Sequence, residues 1–465
     1  MRARPTLRSI AFHTTVALLA LVMSVASAVV TLAVVASTAV AASSPSTLSD
    51  IYERALAQDL VLETARTKKL IGEREFRDAL FGYFPRIFAR LDRDRRYQSI
   101  LSSDNQVFAL GEAEYSITQA LLEVRQPLID YGRFARMKRG RALRSRSFAE
   151  FALERQRLIV RVIEAYFLAL AAAQRVVLVK SAQAAILVEL RDAQERAEAG
   201  RASRSDLLEL SAQAELAASE LIEAQNRLGD RLDVIGEIIG SSPKQLAAFS
   251  VVPPLSPLNI RSVKELMDSA KRSNQELQIQ KLTIAAARFD RNQEIGEYLP
   301  KLEFKGSIDY TDQEGSQFGG GSETRDVTVG LRLEIPIFNM NGLGRPHIKK
   351  NHEIRVEQLK LKQLHVRISR EITGFVRSLR GAIQKFRALG RVVESNRGRL
   401  DDLSAKRRSG VATSVDVLKA QRDLVRAKRD QFDAVVEYIL AITRLKAAIG
   451  VIGDADIEHL NQYLL

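Results

Sequence analysis

Two short segments carry the residues best placed for a chemical role. These segments are Gly200–Leu208 and Gly410–Leu418, and in each an aspartate (Asp206 or Asp416) follows the glycine by six residues. Glycine commonly ends a helix, and a serine or aspartate a few residues later commonly begins the next helix by accepting hydrogen bonds from free backbone amides. The two segments therefore predict helix-to-helix turns, and each turn presents one carboxylate.

Catalytic and metal chemistry find no support elsewhere in the chain. None of the five histidines stands at metal-ligand spacing from a nearby acid, and no Ser-His-Asp set stands out. Gly319–Gly321 lies between two strand-like runs with no helix start after it, which argues against a phosphate-binding loop. The chain has no cysteine, which excludes disulfides, thiolate metal sites and a lipid-modified cysteine. We therefore expect no enzyme activity, no cofactor and no metal.

The two segments occupy the same place in a duplicated module. Tyr83–Pro85 recurs as Tyr298–Pro300, 215 residues later, and Ile239-Gly240 recurs as Ile449-Gly450, 210 residues later. A repeat of this length is not a solenoid unit, because those repeat every ~20–50 residues. The duplication predicts two copies of one architecture.

Long proline-free stretches predict unusually long helices in both copies. Proline is absent from residues 128–242 and 347–465, and both stretches are rich in strong helix formers. Apolar residues from Ile368 to Val393 recur at spacings of three and four, and a similar seam runs from Ile159 to Val177. Such seams are typical of helices that pack as coiled coils. Each repeat is expected to end in a long helical hairpin.

Each repeat also contains a predicted strand hairpin. Apolar and polar residues alternate over 302–310 and 327–335, and less regularly over 87–91 and 120–124. Arg93 and Arg95 fall on the apolar face, so a membrane interpretation places them near the lipid headgroups, since each would cost ~2–4 kcal/mol at mid-membrane. The same alternation also fits a soluble sandwich. Membrane barrels need at least eight strands, so four membrane strands would require a homo-oligomer.

The N-terminal residues predict export, and the charge pattern bears on the class of partner. Three arginines precede an apolar run from about residue 16 to 40, and Ala39–Ala41 offers a cleavage site. This pattern predicts a signal peptide, with an uncleaved anchor as the alternative. No later apolar run approaches the ~20 residues of a spanning helix. The net charge is +14, yet no recognition motif or interleaved aromatic accompanies the basic residues, so we expect no nucleic-acid partner.

The predicted class is mostly α with β, a duplicated module with long coiled-coil helical hairpins and four antiparallel strands per chain. We expect a signal peptide at 1–41, a first repeat at 42–240, a linker at 241–262, a second repeat at 263–450 and a tail at 451–465. Strand hairpins at 84–128 and 299–337 precede helical hairpins with tips near 200–208 and 410–418.

In this order the landmarks resemble TolC-type outer-membrane efflux proteins along essentially the whole mature chain. The resemblance rests on Tyr83–Pro85, Tyr298–Pro300, the strand-to-helix turns Gln126–Arg133 and Pro336–Asn339, and the two tips. It implies a homotrimer whose chains each give four strands to a twelve-stranded barrel in the outer membrane. The long helices would form an α-helical barrel through the periplasm and meet a periplasmic adaptor and an inner-membrane transporter. The protein would be a passive exit duct for efflux or type I secretion.

The resemblance also implies roles for the tip residues. The stretches Gly200–Leu208 and Gly410–Leu418 would form the channel entrance and dock the adaptor. Asp416 matches a position of an acidic constriction ring, but the companion acid three residues later is Lys419 here. Simple helix capping explains Asp206 and Asp416 equally well at this stage.

Two further questions are left open by the sequence. Residues 349–408 hold seventeen Lys or Arg against six Asp or Glu, and one hypothesis is that part of this basic helix faces the lumen and favours anionic cargo. The alternative to a channel is an exported coiled-coil scaffold or adaptor protein that does not enter the membrane.

Overall fold

The structure is a computed structural model that describes residues 45–101, 111–199, 203–255, 262–315, 320–337, 346–409 and 411–464. The predicted signal segment 1–41 and the tip glycines Gly200 and Gly410 lie outside these residues. Residues Thr47–Leu465 belong to one compact unit.

Two successive sets of elements repeat the same order of short helix, longer helix, two strands and two long helices. The first set is α1 (Leu48–Gln58), α2 (Leu60–Phe81), β1 (Arg86–Ile100), β2 (Gly111–Ile129), α3 (Tyr131–Glu198) and α4 (Arg204–Ile239). The second is α5 (Val263–Ser273), α6 (Gln275–Gly296), β3 (Lys301–Gln313), β4 (Ser322–Glu334), α7 (Pro346–Arg408) and α8 (Ser414–Ile449), followed by α9 (Asp454–Asn461). The predicted fold class is confirmed. With 68 residues, α3 is roughly 100 Å long at ~1.5 Å per residue.

Capping residues set the same helix boundaries in both copies. Asp59 accepts a hydrogen bond from the backbone amide of Leu62 at 2.7 Å, and Asn274 accepts one from that of Leu277 at 3.0 Å. Both caps are buried and separate a short helix from the longer one that follows it. Because each satisfies an otherwise free amide at a helix start, α2 and α6 begin at equivalent places.

The strands form one antiparallel meander in the order β1-β2-β3-β4. Its register places the apolar residues on one face, with Phe304 opposite Leu331 and Val327 opposite Ile308. These side chains are not covered by a second layer in the described structure: Leu91 is 75% exposed and Val329 is 70% exposed. A soluble sandwich would bury such a face, whereas a membrane barrel turns it to lipid.

The arginines on the apolar face of β1 lie beyond its apolar part, as the sequence predicts for a membrane sheet. Arg93 pairs with Glu314 at 3.7 Å and Arg95 pairs with Glu114. The matching positions of β2 are polar, because Arg93 stands opposite Thr118. On this face of β1 the apolar band therefore ends at Leu91, and the charged rim begins at the next residue on the same face, Arg93.

The helices pack in an ordered array below the sheet. Near the strands the order of neighbours is α2-α3-α6-α7, and near the tips it is α4-α3-α8-α7. One side of the chain therefore ends in β1, α2 and α4, and the other ends in β4 and α7.

The main core lies halfway along the long helices. Tyr166 and Phe167 of α3 are fully buried there, and the Tyr166 hydroxyl donates to the carbonyl oxygen of Ala247 at 2.8 Å. The segment after α4 also reaches the C-terminal tail, where Phe249 bridges to Leu464. The tail carries helix α9, which the sequence analysis did not predict.

Among the described helices, α3 alone contains a stretch long and apolar enough to cross a membrane. The expectation that no later apolar run approaches spanning length is therefore wrong for this helix. The apolar residues of α3 pack into the core, where Leu158, Val162 and Tyr166 are fully buried, so burial among helices explains their character.

The helix tips as a candidate channel entrance

The first tip joins α3 to α4 and leaves Asp206 and Leu208 in solvent. Ser203 is the N-cap of α4, and its side chain accepts a hydrogen bond from the amide of Ser205 at 3.2 Å. Asp206 lies in the first turn of α4 with an exposed side chain, and Leu208 is 65% exposed. The capping role at this tip therefore belongs to Ser203, which leaves the Asp206 carboxylate available to solvent.

The second tip is more tightly organised, because Thr413 and Asp416 form a reciprocal capping box. The Thr413 hydroxyl donates to Asp416 Oδ2 at 2.7 Å and its backbone amide donates to the same oxygen at 3.2 Å. In return, the Asp416 amide donates to Thr413 Oγ1 at 3.2 Å. This arrangement satisfies two amides at the start of α8.

The same hydrogen bonds lower the pKa of Asp416 below its usual value. The Thr413 side chain is the largest cause, its backbone amide is next, and the charges of Lys419 and Arg399 add to them. Lys419 is exposed and forms no ion pair with Asp416 in the described structure. The lysine therefore favours the carboxylate form of Asp416 without contacting it.

A small apolar cluster joins the two tips within one chain. Leu418 of α8 is only 4% exposed and packs with Ala193 of α3 and Leu210 of α4. We call these three residues the tip cluster. Because Leu210 and Leu418 lie within two turns of the starts of their helices, the tip cluster places the ends of the two hairpins at the same level.

An ion-pair group beside the tip cluster links α7 to α3. Arg407 pairs with Glu189 and, at 2.6 Å, with Asp192. Arg196 also reaches Asp192 at 3.0 Å and donates to Ser414 Oγ at 3.4 Å. Together these contacts hold the second hairpin against the first.

Arg407 and Glu189 are largely buried, with side chains 17% and 16% exposed. Oxygen Oε2 of Glu189 is buried without a hydrogen-bond partner in the described structure, so this carboxylate depends on Arg407 for compensation.

Sequence reasoning missed this ion-pair group, although one signal was present. The buried heptad seam of α7 passes through Leu379, Phe386 and Val393, and continuing it by sevens reaches Leu400 and then Arg407. A cation at a seam position marks a place where a buried partner is needed. The partners could not be read, since they lie more than two hundred residues away in sequence.

The described residues of the two tips present charge and show no constellation for catalysis. Within the described residues no group of three or more His, Asp or Glu side chains could hold a metal ion. The structure brings Asp416, Lys419 and Leu418 together at the second tip and Asp206 and Leu208 at the first.

A sheet with an exposed apolar face above a helical array whose longest helix is roughly 100 Å long is typical of outer-membrane channels that extend through the periplasm. The family comparison agrees with this class. The family model described as outer membrane efflux protein matches residues 52–241 and 266–451, so the chain belongs to that family. The protein is an outer-membrane efflux channel with a periplasmic helical extension, and the TolC-type resemblance is confirmed.

Individual relatives are distant in sequence but cover most of the chain. The alkaline protease secretion protein AprF of Pseudomonas aeruginosa is 25% identical over 88% of this chain and 86% of its own length. The outer membrane protein TolC of Escherichia coli is 24% identical over 75% of this chain and 72% of its own. Among solved structures, the CmeC outer membrane channel of Campylobacter jejuni has a TM-score of 0.75 at 14% identity and covers 90% of both chains.

Proposed function

We propose that this protein is the homotrimeric exit duct of a tripartite efflux or type I secretion system. The observation that carries the proposal is the sheet of four strands whose apolar face is exposed and whose edges, β1 and β4, are unpaired in the described structure. Open strand edges are not tolerated in lipid, and four strands cannot close a barrel. Three copies would supply twelve strands and leave no edge.

The helix tips are the proposed entrance of the duct and the docking place of a periplasmic adaptor. Gly200, Asp206 and Leu208 form one half of this site, and Gly410, Asp416, Leu418 and Lys419 form the other. The exposed Leu208 offers an apolar contact for an adaptor, whereas the buried Leu418 supports the tip from within. An inner-membrane transporter would supply cargo and energy through the adaptor.

Asp416 is proposed to act at the constriction as well as in the capping box. Its lowered pKa keeps it ionised over a wider pH range, so three copies would present three negative charges at the entrance. The exposed Lys419 one turn later would offset part of this field. An entrance of mixed charge would select less strongly for cations than a purely acidic ring.

Polypeptide secretion is the cargo class that the comparisons favour. The relative named for alkaline protease secretion covers 88% of this chain, and the TolC relative covers 75%. A passive duct imposes no chemistry on its cargo, so the transporter would determine which polypeptide passes.

The experiment is membrane fractionation followed by purification in detergent. We expect the protein in the outer membrane, migrating as a heat-modifiable trimer in mild detergent and forming stable conducting pores in planar bilayers. A soluble monomer recovered without detergent would reject the duct and favour the scaffold or adaptor alternative. Adaptor docking would be tested separately by crosslinking from Val411, which is exposed beside the second tip.

A further inference from the structure

Helix α7 carries a row of basic side chains without partners in its own chain. Arg377, Arg380, Arg387 and Arg391 are all exposed, and none forms an ion pair or hydrogen bond with the rest of the described residues. Many other basic residues of α7 do have partners, such as Lys385, which binds Glu437 of α8 at 3.0 Å. We call these four arginines the basic row.

The basic row points away from the chain to which it belongs. The buried seam of α7 repeats every seven residues through Ile372, Leu379 and Phe386 and packs against α8. In a heptad whose seam residues are positions a and d, the four arginines take positions b and f, on the opposite side of the helix. Since α7 ends the helix array, this side faces whatever lies next to the chain.

Helix α4, at the other end of the array, carries a complementary acidic row. Glu209, Glu223, Asp230 and Glu237 are all exposed, and consecutive members are seven or fourteen residues apart. The exposed Leu216 fills the one vacant heptad position. Glu223 also pairs with Arg227 of α4, and Glu209 accepts from Gln213, but Asp230 and Glu237 have no partner in the part of the chain that the structure describes.

The acidic row also points outward. The residues of α4 that pack on α3 include Leu210, Ala217 and Ala224, again seven apart. The acidic row precedes this seam by one position in each heptad, on the flank that is turned away from α3.

The two rows lie at matching heights above the tips, which the tip cluster holds level. At ~1.5 Å per residue from the start of α4, Glu223, Asp230 and Glu237 stand about 28, 39 and 50 Å up. Measured likewise from the end of α7, the four arginines stand about 26, 32, 42 and 46 Å up. Each of these three acids therefore has a basic counterpart within about 4 Å of its own height, whereas Glu209, near the tip, has none in the basic row.

In the strand-proximal half, the two helices at the ends of the array, α7 and α2, also expose apolar side chains. Exposed aliphatic residues occur on both helices, namely Val356 and Leu359 on α7 and Leu60, Leu70 and Ile71 on α2. The sheet adds its open edges β4 and β1 on the same two sides. The two ends of the array are thus unlike, and they match in the charged rows and the open strand edges, as a head-to-tail ring requires.

We propose that the partner of the basic row is the acidic row of the next copy of this chain, so that the periplasmic part of the ring is joined by rows of ion pairs. This inference rests on the proposed homotrimeric duct. It adds that the two charged rows form part of the interface between neighbouring chains. The basic residues of the row then serve assembly and do not line the lumen.

Charge reversal and its compensation test the proposal. The basic variant carries Arg377→Glu and Arg380→Glu, the acidic variant carries Asp230→Arg and Glu237→Arg, and the third combines all four changes. We expect each single-row variant to lower the trimer fraction in mild detergent by roughly tenfold at low salt, and the combined variant to restore it. High salt should weaken the wild-type trimer, because exposed ion pairs are screened.

A matched control is Arg191→Glu, an exposed arginine on α3, which lies between α4 and α8 and at neither end of the array. It should leave the trimer fraction unchanged. Should a reversed variant fail to fold, the cysteine-free chain offers a second test with Arg380→Cys and Asp230→Cys in one protein. A short bismaleimide should then give a ladder of crosslinked copies, whereas Arg191→Cys with Asp230→Cys should not.

Three results overturn the inference. The first is a trimer fraction of the single-row variants equal to that of the wild type. The second is a combined variant whose trimer fraction is no higher than that of either single-row variant. The third is a change in the anion-to-cation permeability of pores formed by the basic variant without any change in its trimer fraction, which would place the basic row in the lumen. A wild-type protein that is monomeric in detergent would instead reject the proposed duct itself.

Discussion

The clearest quantitative prediction concerns Gly450 and Gly240, which end α8 and α4 at the same place in the two repeats. Both adopt left-handed backbone conformations, with φ of +86° and +77°. An alanine there costs about 1–2 kcal/mol from the conformation alone, because its Cβ crowds the following carbonyl oxygen. On this account the two substitutions would be equally harmful.

The surroundings make the two sites unequal. A Cβ on Gly450 would lie 2.5 Å from the carbonyl oxygen of Ser273 and 2.6 Å from the Cα of Asn274, which are backbone atoms that cannot move aside alone. A Cβ on Gly240 would lie 2.7 Å from Gln58 Oε1, the end of a flexible side chain. Overpacking against backbone adds about 1–3 kcal/mol, so Gly450→Ala should cost about 2–5 kcal/mol and Gly240→Ala about 1–2 kcal/mol.

Thermal unfolding followed by far-ultraviolet circular dichroism would measure the difference, since the protein has no tryptophan and is mostly helical. Melting temperatures should fall in the order wild type, Gly240→Ala, Gly450→Ala at one scan rate. Asparagine tolerates the left-handed region, so Gly240→Asn should regain most of the loss, whereas Gly450→Asn keeps the clash. Equal losses for the two alanines, or full recovery by Gly450→Asn, would refute this reasoning.

Three other predictions concern the tips and the core. Thr413→Ala should cost about 1 kcal/mol by removing the cap. Because Thr413 holds the pKa of Asp416 low, the stability lost on Thr413→Ala should shrink as the pH falls below the usual aspartate range. The rate of protease cleavage at the tip would measure this loss at each pH. A loss that does not change with pH would contradict the capping box as the cause of the lowered pKa. Arg407→Ala leaves the largely buried Glu189 without its cation, which should loosen the second hairpin from the first and raise pore conductance; an unchanged conductance would show that this ion-pair group does not limit the opening of the tips. Burial, followed by a hydrogen bond to a carboxylate, raises the pKa of Tyr52 to about 12. The neutral hydroxyl therefore contributes stability that is complete below the usual value near 10 and is lost as the pH rises toward 12, so alkaline melting of Tyr52→Phe should depend less on pH than that of wild type.

The elements and the membrane face could be predicted because they follow from local periodicity. Alternation over 302–310 placed every second side chain on one face, and the register of β3 with β4 depends on little else. The heptad seam from Ile368 to Val393 likewise predicted which face of α7 would be buried. In both cases the regular geometry of the strand or helix means that residue spacing alone determines on which side of the element each side chain lies.

The tip site could be predicted only in part. Sequence placed Asp206 and Asp416 at helix starts, but it could not tell that Ser203 caps the first tip while Thr413 and Asp416 cap the second. The choice between side chains two or three residues apart depends on the exact backbone geometry of each turn. Arg407 and its partners were missed because their contact joins distant parts of the chain.

By itself the sequence determined the duplication, the long helices, the two-faced strands and the need for more than one copy to close a barrel. These follow from spacing, from the placement of proline and from the count of strands. Only the tertiary structure decided which helix ends each side of the array, and so which charges remain without partners in their own chain. The basic excess of α7 first suggested a lumen wall, because a charge count carries no direction. The packing of α7 against α8 shows which way these side chains point. Because the seam of α7 is buried against α8, the basic row faces outward, to where the next copy would stand.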